Sequence, residues 1–320
     1  MDPMRYVYGP VPSRRLGRSL GVSPIPHKTC TCGCVYCQLG RTNDLTIVRR
    51  RFFPPDDIIA EVGDALGRSG VDTVTFAGDG EPTLSSDLGL LVREVKARWG
   101  KRVAVITNGT LLQDPRVREE LMAADVLLVS LDAGTAPLWR RIKRPHPDLA
   151  WGRVLKGIAD IVPNYDGELR LEVMLVRGLN DTDSALRDLW VVLDVIGADH
   201  VDLLVPTRPP AEPWAGPPEP GRVLHAARLL GADSALSEDA EWPPEGPMHA
   251  PARDLILSIG ARHPLKEGEA RAIERAAHET GTVDSMLAAG ELVRAGHRGE
   301  TYLLLKHSWE SHEEVDGHGR

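Results

Sequence analysis

The sequence predicts an α/β protein built around an incomplete β/α barrel, and three observations carry that expectation. Short, nearly continuous apolar runs such as Val126-Leu127-Leu128-Val129 recur along the first two-thirds of the chain. That is the pattern of strands buried on both faces of a parallel sheet. Each run is followed by a segment with helical spacing, giving six β–α repeats over about 190 residues, too few for the eight of a closed barrel. Polar signals gather where the strands end, the edge at which such folds place their chemistry.

A first strand over 19–25 feeds a cysteine-rich loop. Pro54-Pro55-Asp56 then starts a helix, with Ile58, Ile59, Val62 and Leu66 on one face. Strands over 71–77, 102–107, 126–131, 169–176 and 200–206 alternate with helices over 86–98, 115–123, 149–161 and 183–196. From 207 to 251 prolines crowd, Pro209-Pro210, Pro217-Pro218 and Pro243-Pro244 among them. Such density blocks regular structure, so a cover or linker is expected, interrupted by one short helix near 222–230. Residues 252–306 change pattern again, with helices over 254–259, 267–278 and 283–295, a glycine turn, and a strand over 301–305. That order suits a small winged-helix-like module or, equally, a packing lid on the barrel; it names no base-reading residue. The expected domains are a core barrel over 1–210, a Pro-rich linker or cover over 211–251, a helical module over 252–306 and a frayed tail over 307–320.

Composition narrows the function classes. Of 320 residues, 42% are hydrophobic and 26% charged, the balance of a soluble globular protein. No apolar run approaches the ~20 residues of a membrane span, and the start lacks a signal peptide's apolar stretch, so a cytoplasmic location is expected. The net charge of −8 argues against a general nucleic-acid coat, although a local basic groove stays open. Aromatic residues are only 5%, which disfavours a stacking platform for single-stranded RNA.

The four cysteines all lie between Cys30 and Cys37. A disulfide framework would spread its bridges, and isolated buried cysteines would scatter through a core. Clustering means a metal or cluster site, or redox chemistry. Cys30, Cys34 and Cys37 form Cys-x3-Cys-x2-Cys, with Cys32 inside. Structural zinc usually joins two separated pairs. Three thiolates on a tight loop can instead each hold one iron of a cubane, leaving the fourth iron without a protein ligand. Around this loop, Tyr36 precedes the third cysteine and Gly78-Asp79-Gly80-Glu81-Pro82 follows the second strand. Thr107-Asn108-Gly109 ends the third strand and Ser130-Leu131-Asp132 the fourth.

On these residues the chain resembles the radical S-adenosylmethionine (SAM) superfamily, whose signature is Cys-x3-Cys-x-aromatic-Cys near the start of a partial (β/α)6, TIM-like barrel. The resemblance covers roughly residues 5–210. Segments 8–21 and 205–210 look like the branch that serves wybutosine (tRNA) synthesis. The resemblance implies that Cys30, Cys34 and Cys37 hold a [4Fe-4S] cluster whose open iron is chelated by SAM. Gly78, Gly80 and Glu81 match a Gly-Gly-Glu-Pro element that receives the methionine ammonium through backbone carbonyls. Asp79 departs from that element, standing where a second glycine is common. By the same resemblance Asn108, Ser130 and Asp132 lie where the family contacts ribose and carboxylate, and Tyr36 faces the adenine. Asn108-Gly109 is also an ordinary turn, and Ser130 or Asp132 also suits a helix cap.

The implied reaction is reductive: an electron passes from the cluster to SAM, and the resulting 5′-deoxyadenosyl radical takes a hydrogen atom from substrate. An electron donor such as flavodoxin or ferredoxin is implied as partner, with RNA, a protein or peptide, or a small metabolite as substrate. Cys32 reads as a non-ligand, with a role as alternative ligand left open, and no second cysteine set exists, so pyruvate chemistry on tRNA is not a safe transfer. Two rivals stand beside this reading. One is an activase that installs a glycyl radical on a partner protein. The other is a non-catalytic, metal-holding nucleic-acid-binding or regulatory protein, against which the Gly-Asp-Gly-Glu-Pro element speaks.

Further polar groups carry expectations of their own. Arg14 and Arg15 divide between a role at the barrel mouth and a solvated face, whereas Arg49, Arg50 and Arg51 read as solvated. Glu172, inside an apolar strand, needs a partner or a ligand and points toward the lumen. Asn180-Asp181 reads as a turn and helix cap, and Arg208 reaches toward the mouth. The eleven histidines show no metal-ligand spacing.

Overall fold

A computed structural model describes residues 5–236 and 250–306. The expectations for 237–249, within the Pro-rich stretch, and for the 307–320 tail lie outside the described residues.

In chain order the first part contains β1 (Val7–Ser13), β2 (Gly17–Val22), the short β3 (Thr29–Cys30) and β4 (Asp44–Leu45), α1 (Pro55–Arg68) and β5 (Thr73–Phe76). Next come α2 (Leu88–Trp99), β6 (Arg102–Thr107), α3 (Pro115–Leu121), β7 (Val126–Ser130), α4 (Ala136–Lys143) and α5 (Trp151–Ile161). The series closes with β8 (Glu168–Met174), α6 (Asp183–Ile196), β9 (His200–Leu204), α7 (Pro220–Leu230) and β10 (Ser234–Leu236). One sheet runs β1-β2-β5-β6-β7-β8-β9-β10 and is open, with β1 and β10 as its edges. β1 pairs antiparallel with β2, and every later pair is parallel. Parallel neighbours need a crossover of a dozen or more residues, which the intervening helices supply. The apolar runs lie in these strands because both faces are covered: every residue of β5, and all of β7 before Ser130, is buried. The described structure is a mixed α/β fold with a mainly parallel sheet.

Three departures from expectation have physical reasons. β1 lies ahead of the first expected strand and carries Gly9, Pro10 and Pro12; prolines are tolerated on an edge strand and at the register shift between Tyr8 and Val11. Residues 211–236 are not a bare linker. Pro220 sits in the first turn of α7, where its missing N–H costs nothing; α7 packs on α6, and β10 extends the sheet beside β9. The helix expected over 283–295 stops early, because Gly290 adopts a φ of +70° and the chain turns back as a strand.

The C-terminal part contains α8 (Ala252–Gly260), β11 (Leu265–Lys266), α9 (Glu267–Ala276), α10 (Thr282–Ala288), β12 (Leu292–His297) and β13 (Glu300–Leu305). Its three strands form an antiparallel sheet in the order β11-β13-β12. Arg298 and Gly299, both at positive φ, make the tight turn between β12 and β13. Leu255, Ile259, Ile273, Val283, Met286 and Leu303 give this module a core of its own. Among the described residues no helix is long and apolar enough to cross a membrane.

Candidate active site

β3 enters the cysteine loop at the edge where β5 to β9 end. Val35 anchors the loop in a small apolar cluster with Ile142, Val176, Leu179 and Ala215. Its backbone is tied down by Val35 N–H to the Ile142 carbonyl at 2.9 Å and Gly33 N–H to the Arg144 carbonyl at 3.0 Å. The Thr42 hydroxyl donates to the Cys32 carbonyl at 2.7 Å. Cys30, Cys34 and Cys37 are half-buried free thiols, and Cys32 is buried.

All four cysteines line one chamber of about 410 Å³, within the ~300–1,000 Å³ span of small-molecule sites. The other sequence-predicted residues meet them there. Gly78, Gly80 and Glu81 follow β5, Asn108 follows β6, Ser130 and Asp132 lie at the end of β7, and Tyr36 belongs to the loop itself. Arg14, Arg15, Glu172 and Arg208 complete part of the wall.

Each polar group has a job that its neighbours define. A Cβ on Gly80 would fall 1.9 Å from the Thr29 carbonyl oxygen, so only glycine lets this turn lie against the strand leading to Cys30. Gly78, at a φ of +114°, would press a Cβ to 3.1 Å from the Tyr8 ring. The buried Glu81 carboxylate accepts from Thr83 N–H at 3.1 Å, the Thr83 and Thr107 hydroxyls at 2.6 Å each, and Asn108 N–H at 2.7 Å. Burial raises its pKa against those donors. Glu81 therefore braces the turn with its side chain. The Asn108 amide donates to the Thr31 hydroxyl at 2.7 Å and lies 3.6 Å from the Cys30 sulfur, and its oxygen accepts from Thr110 N–H at 3.0 Å. It is a tether between β6 and the cysteine loop as well as a turn residue.

Asp132 is fully buried and caps no helix. Its Oδ1 accepts from Met174 N–H at 2.8 Å; its Oδ2 accepts from the Tyr36 hydroxyl at 2.6 Å and pairs with Lys143 Nζ at 2.8 Å. Lys143 also donates to the Tyr36 oxygen at 2.8 Å. Tyr36 lines the chamber together with both partners of its hydroxyl, Asp132 and Lys143. Burial alone would lower the Lys143 ammonium, but Asp132 and the neighbouring cysteines overcome it and hold its pKa above the ordinary value. A hydrogen bond from Cys32 keeps the Cys34 thiol below its usual range, opposed by burial and aided by Lys143. Cys37 is pushed up to about 11, by burial first and then by Cys34. Ser130 is half-buried at the chamber wall.

Glu172 finds the partner it needed in Arg15, which also pairs with the buried Asp202 at 3.2 Å. Asn180 lies in the expected turn but does not cap α6, a role that Thr182 takes; it is buried, accepts from Val176 N–H at 2.7 Å and donates to the Asp132 carbonyl at 2.8 Å. Arg49 is not solvated as expected, because its guanidinium holds Glu120 and donates to the Thr83 carbonyl at 2.8 Å. Sequence reasoning missed Lys143, Arg262 and His263. Lys143 sits in the run Arg140-Arg141-Ile142-Lys143-Arg144, which by composition looks like any basic helix face.

Among the described residues no three His, Cys, Asp or Glu side chains are grouped to hold a single metal ion. All four cysteines line one chamber. Three free thiols on one short loop, Cys30, Cys34 and Cys37, fit a multi-iron group bound by one thiolate per iron.

The sequence profile of the radical SAM superfamily matches residues 25–189. The UPF0026 protein MJ1312 of Methanocaldococcus jannaschii is 30% identical over 321 aligned positions, covering 94% of this chain and 96% of that one. A radical SAM methyltransferase structure from Sphaerobacter thermophilus shares the fold with a TM-score of 0.53 at 22% identity, over 67% of this chain and 63% of that chain. The structure of Streptococcus suis SuiB bound to S-adenosylmethionine matches with a TM-score of 0.50 at 17% identity, over 66% of this chain and 46% of that chain. The resemblance to the wybutosine branch finds no support in these matches, whose full-length relative is a UPF0026 protein. The profile spans half of the chain and establishes the family: this protein belongs to the radical SAM superfamily.

Proposed function

We propose that the protein holds a [4Fe-4S] cluster on Cys30, Cys34 and Cys37, binds SAM beside it, and cleaves SAM reductively to take a hydrogen atom from a substrate held in the same chamber. One observation carries this reading: the three free cysteines line the same chamber as the Gly78–Glu81 turn and the ends of β6 and β7. When bound, the cluster supplies the single electron that SAM cleavage needs.

The chain's own residues supply the setting. Gly78 and Gly80 let the turn after β5 lie close against Tyr8 and the Thr29 carbonyl, and Glu81 and Asn108 fix that backbone against the cysteine loop. Asp132, Lys143 and Tyr36 lock the end of β7 to the loop, so the cysteines do not need to be ordered when the cluster enters. Packed strand ends wall one side of the chamber, and a bound substrate would complete the exclusion of water and oxygen from the reacting groups. The electron comes from a small redox protein of the flavodoxin or ferredoxin kind.

The helix–strand–helix–helix–strand–strand order of the C-terminal module supports the winged-helix reading. Its chemistry favours a substrate inside the chamber over a nucleic acid gripped by the module. Helix α10, just before the hairpin, carries Asp284 and no Lys or Arg. Nearby Arg271 and Arg294 are both engaged by Glu267, at 2.9 Å each. Phosphate binding needs cations available to the backbone. Anaerobic reconstitution followed by reduction with SAM tests the proposal, with 5′-deoxyadenosine as the expected product. A reconstituted, reduced protein that leaves SAM intact would overturn it.

A further inference from the structure

The C-terminal module bridges the open side of the sheet. α8 packs on the edge strand β1, whose Tyr8 and Val11 lie against the module's core. Beyond β9, the Tyr302 hydroxyl donates to the Thr207 carbonyl at 2.8 Å, and Arg208 donates to the Pro264 carbonyl and pairs with Glu269 at 3.4 Å.

The turn joining α8 to β11 enters the chamber, where Arg262 and His263 both line the wall. The buried Arg262 guanidinium spreads its donors over three separate segments. Nε reaches Asp79 Oδ2 at 2.9 Å, Nη1 the Ser258 carbonyl at 3.1 Å, and Nη2 the Arg5 carbonyl at 2.9 Å. Its own carbonyl accepts from Gln38 Nε2 at 3.0 Å, immediately after Cys37. Asp79 is the residue that departs from the Gly-Gly-Glu-Pro pattern, and the structure gives that departure a purpose. One carboxylate oxygen takes Arg262 and the other meets His27 at 2.8 Å, so the module docks on this turn. His263 lies beside these contacts, half-buried. Burial, with Arg208 nearby, keeps its pKa well below the ordinary value, so the imidazole is neutral near pH 7. Among the described residues its ring has no hydrogen-bond partner.

We propose that the C-terminal module is a wall of the SAM chamber, in which Arg262 is a positioning residue for the Gly78–Glu81 turn and the cysteine loop, and His263 contacts bound SAM. This rests on the radical SAM reading above. A neutral imidazole next to a guanidinium suits a hydroxyl or carboxylate of SAM, and three acceptors lying in different directions suit the guanidinium's separated nitrogens, whereas an ammonium's donors all radiate from one atom.

The test titrates SAM calorimetrically into reconstituted full-length protein, with the electron paramagnetic resonance of the reduced cluster recorded with and without SAM. His263→Ala is expected to melt like wild type and to bind SAM roughly three- to tenfold more weakly, the effect of losing one hydrogen bond. Arg262→Gln is expected to weaken SAM about tenfold or more and to blunt the spectral response to SAM, and Arg262→Lys not to rescue either. Rescue by lysine would overturn the positioning role. Should the Arg262 variants not fold, His263→Ala decides alone, and wild-type SAM affinity in it overturns the contact. A wild-type protein that binds no SAM would instead bring down the radical SAM reading itself, a result distinct from variants that merely match a SAM-binding wild type.

Discussion

Asp132→Asn separates two roles for a residue that the resemblance places among the SAM contacts. In the structure Asp132 and Lys143 are 0% and 2% exposed as side chains and lie 2.8 Å apart, with Tyr36 bonded to both. Asparagine preserves shape and can still accept from Met174 N–H, but it leaves the Lys143 ammonium buried without its carboxylate. Breaking one side of a buried ion pair costs about 3–5 kcal/mol. Unfolding entropy scales with chain length, and for a chain of this size that loss lowers the melting temperature by about 4–7 °C. Calorimetry on cofactor-free protein is the assay, since the network exists without SAM. A cofactor-free Asp132→Asn protein that melts within about 1 °C of wild type, while losing SAM affinity, would show that the carboxylate serves the ligand and that the reasoning from the buried pair is wrong.

Three further outcomes are expected. Cys34→Ala abolishes iron–sulfur absorbance and SAM cleavage after anaerobic reconstitution, and retention of both refutes the ligand assignment. Glu81→Gln places an amide where four donors now converge, costing about 1–3 kcal/mol in thermal unfolding, and an unchanged melt would mean the brace is not needed. Glu267 is held at about 2 by Arg294 and then Arg271, down from its ordinary 4.5. Because its folded pKa is depressed, its contribution is full above pH 4.5 and disappears as the pH falls toward 2. Glu267→Gln should flatten that part of the acid-stability curve, and parallel curves for the two proteins would contradict it.

What the sequence made legible was whatever repeats or clusters locally. The buried strands β5 to β9 showed as apolar runs because both their faces are covered, and the cysteine loop showed because its ligands are neighbours in the chain. β1 stayed hidden, since Gly9, Pro10 and Pro12 obey edge-strand rules that a central-strand pattern does not contain. The β12 boundary was lost because Leu292, Val293 and Ala295 continue a helical spacing past Gly290, and only pairing with β13 reveals the strand. Lys143 looked like one more surface cation until α4 turned it toward Asp132. Arg262 was out of reach of any local pattern: 183 positions separate it from Asp79, and only the docked module brings them together.

The measurement closest to the central claim is the spectrum of the anaerobically reconstituted, reduced protein before and after SAM is added, together with its iron and sulfide content. The account predicts about four irons and four sulfides per chain and a resonance that shifts when SAM binds the open iron. A protein that carries zinc, or a cluster whose signal does not respond to SAM, would contradict it.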